Sequence, residues 1–317
     1  MTRLASNRAY WYVISLVTLI PGTIALLLWG LNLGIDFTGG TIWEIQFDES
    51  VESEQIQSVL SANGYGDATV QISSEGELTN NVAIIRMEEL AQLAPEKRAM
   101  EEGFATEIGP FEELQISTVG SAVSSDISQK AIIAMAAASI GILLFMAFAF
   151  RNTQNPVLYG LCAIAGMLHD VLLVLGFFAI AGHFFDVQVD ALFVTALLTV
   201  IGFSVHDTIV VFDRIRENLA RQADPVFEEV VNYSLAQTIV RSVNTSLTVV
   251  FTLLTLYLFG GESTRTFVLA LLIGTVSGTY SSIFNASQLL VSWEMGDFHR
   301  WWNRLRRREN ETAPAVS

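Results

Sequence analysis

The sequence predicts a polytopic α-helical membrane protein: six transmembrane helices, with one folded α+β domain outside the cytoplasm between the first and second. Three observations carry that expectation. Of 317 residues, 51% are hydrophobic and only 15% charged, where an ordinary soluble domain has about 25% charged, and the mean hydropathy is +0.46. Six apolar stretches are each long enough to cross a hydrocarbon core of about 30 Å, which takes about 20 helical residues. A single long polar stretch, residues 34–129, interrupts them, and its apolar residues recur with strand and helix periods.

The spans are expected at 10–31, 131–150, 157–181, 191–212, 238–259 and 267–291. The first is too long for a signal-peptide core and meets no small-x-small cleavage site, so it reads as a retained span. Pro156 opens the third, where a first-turn proline loses no helical hydrogen bond. Tyr10, Trp11, Tyr12, Trp29, Tyr257 and Trp293 lie near span ends, as an interfacial aromatic belt requires. Arg3 and Arg8 precede the first span, Arg151 follows the second, and Arg214, Arg216 and Arg221 follow the fourth. Arg300, Arg304, Arg306, Arg307 and Arg308 follow the sixth. The alternate loops hold no lysine or arginine at 182–190 and only Arg265 at 260–266. The positive-inside rule then puts both termini in the cytoplasm, which an even number of spans permits.

Residues 34–129 contain 18 acidic residues against three basic ones, a net −15 equal to the charge of the whole chain. The expected elements are a strand at 41–47, a helix at 52–63 closed by Gly64, and two strands at 68–73 and 81–87 across a Ser/Glu/Gly turn. A helix at 95–108 and a strand at 112–119 complete the order βαββαβ, which fits a ferredoxin-like domain. The chain therefore divides into 1–33 (cytoplasmic N-terminus and first span), 34–129 (outer domain), 130–292 (five-helix bundle) and 293–317 (basic cytoplasmic tail). Residues 213–222 and 224–233, charged and partly amphipathic, read as a helix lying along the cytoplasmic interface.

Ionisable residues inside spans are the sharpest functional signals, since each costs about 2.5–3.5 kcal/mol at a helix centre. His169 and His206 each precede an aspartate, Asp170 and Asp207, and Arg241 lies about one turn into the fifth span. Asp207 and Arg241 fall at similar depth, so an ion pair between them is expected. A paired carboxylate stays ionised and becomes protonatable when the pair separates, the behaviour a proton-driven cycle needs. Charges that merely fasten helices, and histidines that merely bond a neighbouring helix, would give the same sequence. Gly274 and Gly278 form GxxxG, with Ser277, Ser281 and Ser282 beside them, a surface for close helix approach. Gly34, Gly39 and Gly40 suit a turn from the first span into the first strand. No phosphate-binding loop, nucleophile elbow or metal-ligand spacing occurs, and Cys162 is the sole cysteine, so no enzyme, metal site or disulfide framework is expected. The acidic balance argues against nucleic acid as a partner.

Three stretches resemble signatures of the SecF family, subunits of the bacterial protein-export machinery within the resistance–nodulation–division superfamily. They are LNLGIDFTGG at 31–40, VTALLTVIGFSVHDTIVVFDRIREN at 194–218, and LFGG at 258–261 followed by LLIGTVSGTYSSI at 271–283; the His169-Asp170 pair is similar too. The resemblance makes Gly34, Asp36, Gly39 and Gly40 the family motif after the first helix. It implies a complex with SecD beside the SecYEG channel in the bacterial inner (plasma) membrane, acting on a translocating preprotein after the SecA ATPase. It implies the proton gradient as energy source, with no bound cofactor, and falls on Asp207 and Arg241 as the proton-linked residues. His206 stands where relatives carry Asn. The resemblance leaves open YajC- or YidC-type accessory proteins, specific contacts with membrane lipids, and an internal membrane where the organism has one. A proton-coupled exporter of small molecules or lipids and a non-transporting assembly scaffold are the competing readings. The former would need a large apolar pocket and a second six-span half.

Overall fold

A computed structural model describes residues 4–73, 81–90, 95–153, 155–221, 226–297 and 300. The expected turn at 74–80, Arg3 and the arginines at 304–308 lie outside them. The chain divides into two compact units, Leu33–Ile133 and the remainder on either side of it. In chain order, helix α1 (Arg8–Leu28) is followed by the one-turn α2 (Ile35–Thr38), β1 (Gly40–Phe47), α3 (Ser53–Ala62), β2 (Thr69–Ser73), β3 (Val82–Met87), α4 (Pro95–Glu107) and β4 (Phe111–Val119). Helices α5 (Ser121–Ala149), α6 (Pro156–Phe185), α7 (Ala191–Ala220) and α8 (Phe227–Phe259) come next. The last span is α9 (Glu262–Ser281), a π-helical turn (Ser282–Ala286) and α10 (Ser287–Glu294). Among the described residues six helices are long and apolar enough to cross a membrane.

In the smaller unit the strands align as β2-β3-β1-β4, all antiparallel, which with the order βαββαβ is the ferredoxin-like topology. Alternation decides the buried face: Trp43, Ile45 and Phe47 of β1 and Ala83, Ile85 and Met87 of β3 point inward. Ile56, Val59 and Leu60 of α3 and Met100 and Phe104 of α4 cover them. Helix α3 starts in a capping box, with Glu52 and Gln55 exchanging side-chain bonds to each other's backbone. Lys97 of α4 lies against the Trp43 ring and bonds Glu113 (2.7 Å) and Glu101 (3.2 Å). Burial works against its charge, but these bonds outweigh that and hold the ammonium pKa above its ordinary 10.5. Its contribution is complete below the unfolded-state value and is lost as pH rises through the raised one. The expected result is a thermal transition of this unit that falls as pH rises above the ordinary lysine value of 10.5, with the fall smaller in Lys97→Met. An equal fall in both proteins would remove Lys97 as its source.

The glycine motif makes the entry into this sheet. The Gly34 carbonyl accepts the N–H groups of Phe37 and Thr38, closing α2 as a single turn. Gly39 (φ +74°) and Gly40 (φ +119°) then reverse the chain into β1. At Gly40 a Cβ would lie 2.6 Å from the Met87 carbonyl oxygen, where nothing can yield without breaking the β1–β3 ladder. Gly40→Ala should therefore cost this unit at least about 2 kcal/mol. Hydrogen exchange at the β1 and β3 amides should quicken; unchanged protection would show that the backbone tolerates the methyl.

In the larger unit, α6 begins with Pro156 in its first turn and ends at Asp186 in the left-handed region. The Asp190 carboxylate caps α7 by accepting the Phe193 N–H at 2.9 Å. Helices α1 and α6 cross at Gly22 and Gly176, so closely that a Cβ on Gly176 would lie 2.6 Å from the Gly22 Cα. Phe150, Tyr159 and Phe212 form a buried aromatic cluster where α5, α6 and α7 meet. The interfacial helix expected from 213–222 and 224–233 is not a separate element. Helix α7 runs on to Ala220, and α8 begins at Phe227. No proline or glycine intervenes between Phe212 and Arg221, and pairs one turn apart (Asp213–Arg216, Arg214–Glu217, Glu217–Arg221) support the polar extension. Residues 222–225 lie outside the described set.

Candidate functional site: two buried carboxylates

Helix α6 is apolar around most of its circumference, yet it carries His169 and Asp170 into the centre of the bundle. Asp170 is fully buried. Its Oδ1 accepts from Ser277 at 2.6 Å and faces His169 Nδ1 at 3.1 Å. Its Oδ2 accepts from Ser204 and Ser281, both at 2.6 Å. A carboxylate offers about four acceptor positions; three serine hydroxyls fill three of them, and His169 Nδ1 fills the fourth in the tautomer that carries its proton there. His169 Nε2 is buried without a hydrogen-bond partner among the described residues. One carboxylate thus ties α6 to α7 (Ser204) and to α9 (Ser277, Ser281).

Glycine makes that reach possible. Gly278 lies between the two α9 serines, and a Cβ there would come within 3.3 Å of the Ser204 backbone and 3.6 Å of Asp170 Oδ2. Gly274, one turn earlier, packs against Val200, with no room for a side chain. The GxxxG stripe seats α9 on α7 at a separation short serine side chains can bridge.

Asp207, on α7, is also buried. Its Oδ1 accepts from Ser242 of α8 at 2.6 Å and its Oδ2 from Ser282 at 2.8 Å. Ser246, one turn beyond Ser242, bonds Thr279 of α9 and extends the polar seam between the helices. The expected Asp207–Arg241 ion pair is not formed. Arg241 and Ser242 are consecutive, about 100° apart on the helix, and it is the buried row Thr238, Ser242 and Ser246 that packs inward. Arg241 is exposed, without an ionic or hydrogen-bond partner among the described residues. It lines a cavity of about 360 Å³ with Ile209, Asp213, Arg214, Glu217 and Gln237. His206 is likewise exposed.

The structure thus gathers His169 with Asp170, encloses Asp207, and leaves Arg241 and His206 on the outer face of the bundle. Gly34, Asp36, Gly39 and Gly40 belong to the other unit. Sequence reasoning read Ser277, Ser281 and Ser282 only as small packing residues and missed Ser204 and Ser242. The available signal was the four-residue spacing of Ser277 and Ser281, and of Thr238, Ser242 and Ser246, on helices paired with aspartate-bearing spans.

Six spans, a ferredoxin-like unit after the first, and two carboxylates locked inside the bundle by hydroxyls define a multi-pass membrane protein with acidic groups buried among its helices. The family model of the protein export membrane protein SecD/SecF C-terminal region matches residues 100–296, and that of the SecD/SecF GG motif matches 29–51. The protein translocase subunit SecF of Thermobaculum terrenum is 57% identical over 303 residues, covering 94% of this chain and 95% of that one. The SecDF subunit of Bacillus subtilis is 34% identical, over 91% of this chain and 38% of that longer protein. The crystal structure of SecDF from Thermus thermophilus superposes with a TM-score of 0.77 at 30% identity, over 92% of this chain and 38% of that one. The chain belongs to the SecD/SecF family of protein export membrane proteins, and it matches SecF subunits over nearly their whole length.

Proposed function

We propose that this chain works with SecD as a proton-driven subunit of the Sec protein translocase, promoting late stages of preprotein translocation after SecA-driven export. The observation that carries this reading is Asp207: a carboxylate buried in a membrane bundle, bonded by two serine hydroxyls and, among the described residues, by no cation. A bare charge in such a place is costly, and uptake of a proton removes it, so the group has reason to exchange protons as its surroundings change. The cavity beside Arg241 supplies polar surface at the end of α7 and the start of α8, where water can approach.

A partner follows from what this chain leaves exposed. His206 is exposed on the bundle surface within the fourth span, an arrangement that calls for cover by polar groups of another helix. The SecDF relatives are single chains of which this one spans 38%, so SecD is the natural second half. The arginine distribution supports cytoplasmic termini with the acidic unit on the far side, where the preprotein would emerge from SecYEG, and membership of the SecD/SecF family supports an inner-membrane location. None of this chemistry is catalytic in the covalent sense, and the proton gradient takes the place of a cofactor. In inverted membrane vesicles containing this chain and SecD, completion of translocation after ATP is exhausted should stop on adding a protonophore. Completion that ignores the protonophore would refute proton coupling, and failure of SecD to co-purify in mild detergent would remove the partner.

A further inference from the structure

Both buried carboxylates are held by consecutive residues of one helix. Ser281 donates to Asp170 Oδ2 at 2.6 Å, and Ser282 donates to Asp207 Oδ2 at 2.8 Å. Ser281 is the last residue of α9, and Ser282 is the first of the π-helical turn that continues to Ala286. Such turns close i→i+5 hydrogen bonds, a wider ring than the α-helix, and occur frequently at functional sites. The turn is anchored from the other side, where Ser15 of α1 donates to Asn285 Oδ1 at 2.7 Å.

Each serine also has a second acceptor within reach on its own helix: the Gly278 carbonyl for Ser281, at 3.3 Å, and the Thr279 carbonyl for Ser282, at 3.1 Å. A hydroxyl has one proton to donate and two lone pairs. While Asp207 is ionised, Ser282 donates to it. Once Asp207 carries a proton, that O–H needs an acceptor, and Ser282 can serve by turning its own proton to the Thr279 carbonyl. The change falls at the first residue of the π turn, one peptide bond from the serine that completes the acceptor set of Asp170. Asp170 has no slack, since its four positions are filled, so displacement of Ser281 alters its ability to hold a negative charge.

We propose that Ser281 and Ser282 are positioning residues that couple the two carboxylates, so that a proton at Asp207 is felt at Asp170 through the π turn. Other titratable groups are few. Among the described residues His169 is the one ionisable side chain bonded to Asp170, with the Tyr280 ring 6.0 Å from its imidazole. Helices α7 and α9 present serines to Asp170, and α8 and the π turn present serines to Asp207. Arg241 and His206 are exposed.

The test is infrared titration of the full chain, reconstituted with SecD, following the carboxylic-acid band that disappears in Asp170→Asn. Asp207→Asn should move the midpoint of that band by about one pH unit. In a Ser282→Ala background the same substitution should move it by less than half as much, and Ser282→Thr, which keeps the hydroxyl, should restore the full shift. An equal shift with and without the Ser282 hydroxyl would mean that the carboxylates sense each other through space alone and would overturn the proposal. No shift on Asp207→Asn would overturn it as well. The inference builds on the proton-coupled reading of Asp207, yet the two fail separately: translocation insensitive to Asp207→Asn would sink that reading, while the titration judges the coupling itself.

Discussion

Asp207→Asn should abolish gradient-driven translocation while leaving a protein that inserts and folds. Asparagine has nearly the shape of aspartate and keeps one carbonyl oxygen, so it can still accept from Ser242 or Ser282. The other serine meets an amide N–H₂ and has to accept in place of donating, which its second lone pair allows. The cost to the bundle is on the order of one hydrogen bond, about 1 kcal/mol. What is lost outright is the ability to take up and release a proton. If that exchange drives the cycle, the gradient-dependent rate should fall about 100-fold or more, the range found when a group that must transfer protons is removed. Vesicles energised by an imposed gradient, with the variant at wild-type abundance, provide the measurement. Translocation at the wild-type rate would end the proton-coupled reading, whatever the structural role of Asp207.

How much of this was legible beforehand depends on which coordinate of each residue is asked for. Amphipathic period reports a buried face, so the outer strands and helices came out of the sequence to within one or two residues: 41–47 against Gly40–Phe47, and 95–108 against Pro95–Glu107. Hydropathy reports depth in the membrane and nothing else. It located six spans but ended the fourth at 212, while the helical ladder continues to Ala220 through charged residues that support one another. The error at Arg241 has the same origin. Depth placed it level with Asp207, but the angular position of α8 against α7 decides which neighbour reaches the carboxylate, and that is set by packing of Thr238, Ser242 and Ser246. Gly22 and Gly176 are single glycines in separate spans, and their contact leaves no pairwise trace in one sequence. The π turn is equally silent, because Ser282–Ala286 has the composition of ordinary helix.

Asp170→Ala should do the opposite of Asp207→Asn and break the bundle. Removing this carboxylate leaves the hydroxyls of Ser204, Ser277 and Ser281 and the Nδ1 of His169 around an empty space where four partners were satisfied. Ser281 can fall back on the Gly278 carbonyl, so the loss is less than the sum of four bonds. A buried donor without a partner costs about 1–3 kcal/mol, which puts the total at roughly 3–5 kcal/mol. Cys162 offers a direct readout: it is the only cysteine, it lies on α6 two turns before Asp170, and it is buried. A thiol reagent reaches it only when α6 opens from the bundle, so its labelling rate measures the population of the open state. At 1.4 kcal/mol per factor of ten, Asp170→Ala should label about 100-fold faster or more than wild type, and Asp207→Asn less than about tenfold faster. Asp170→Asn, which keeps an acceptor and the side-chain volume, should fall between them. If Asp170→Ala labels at the wild-type rate, the four-donor arrangement does not hold α6, α7 and α9 together, and its conspicuous satisfaction of every acceptor position serves proton handling alone.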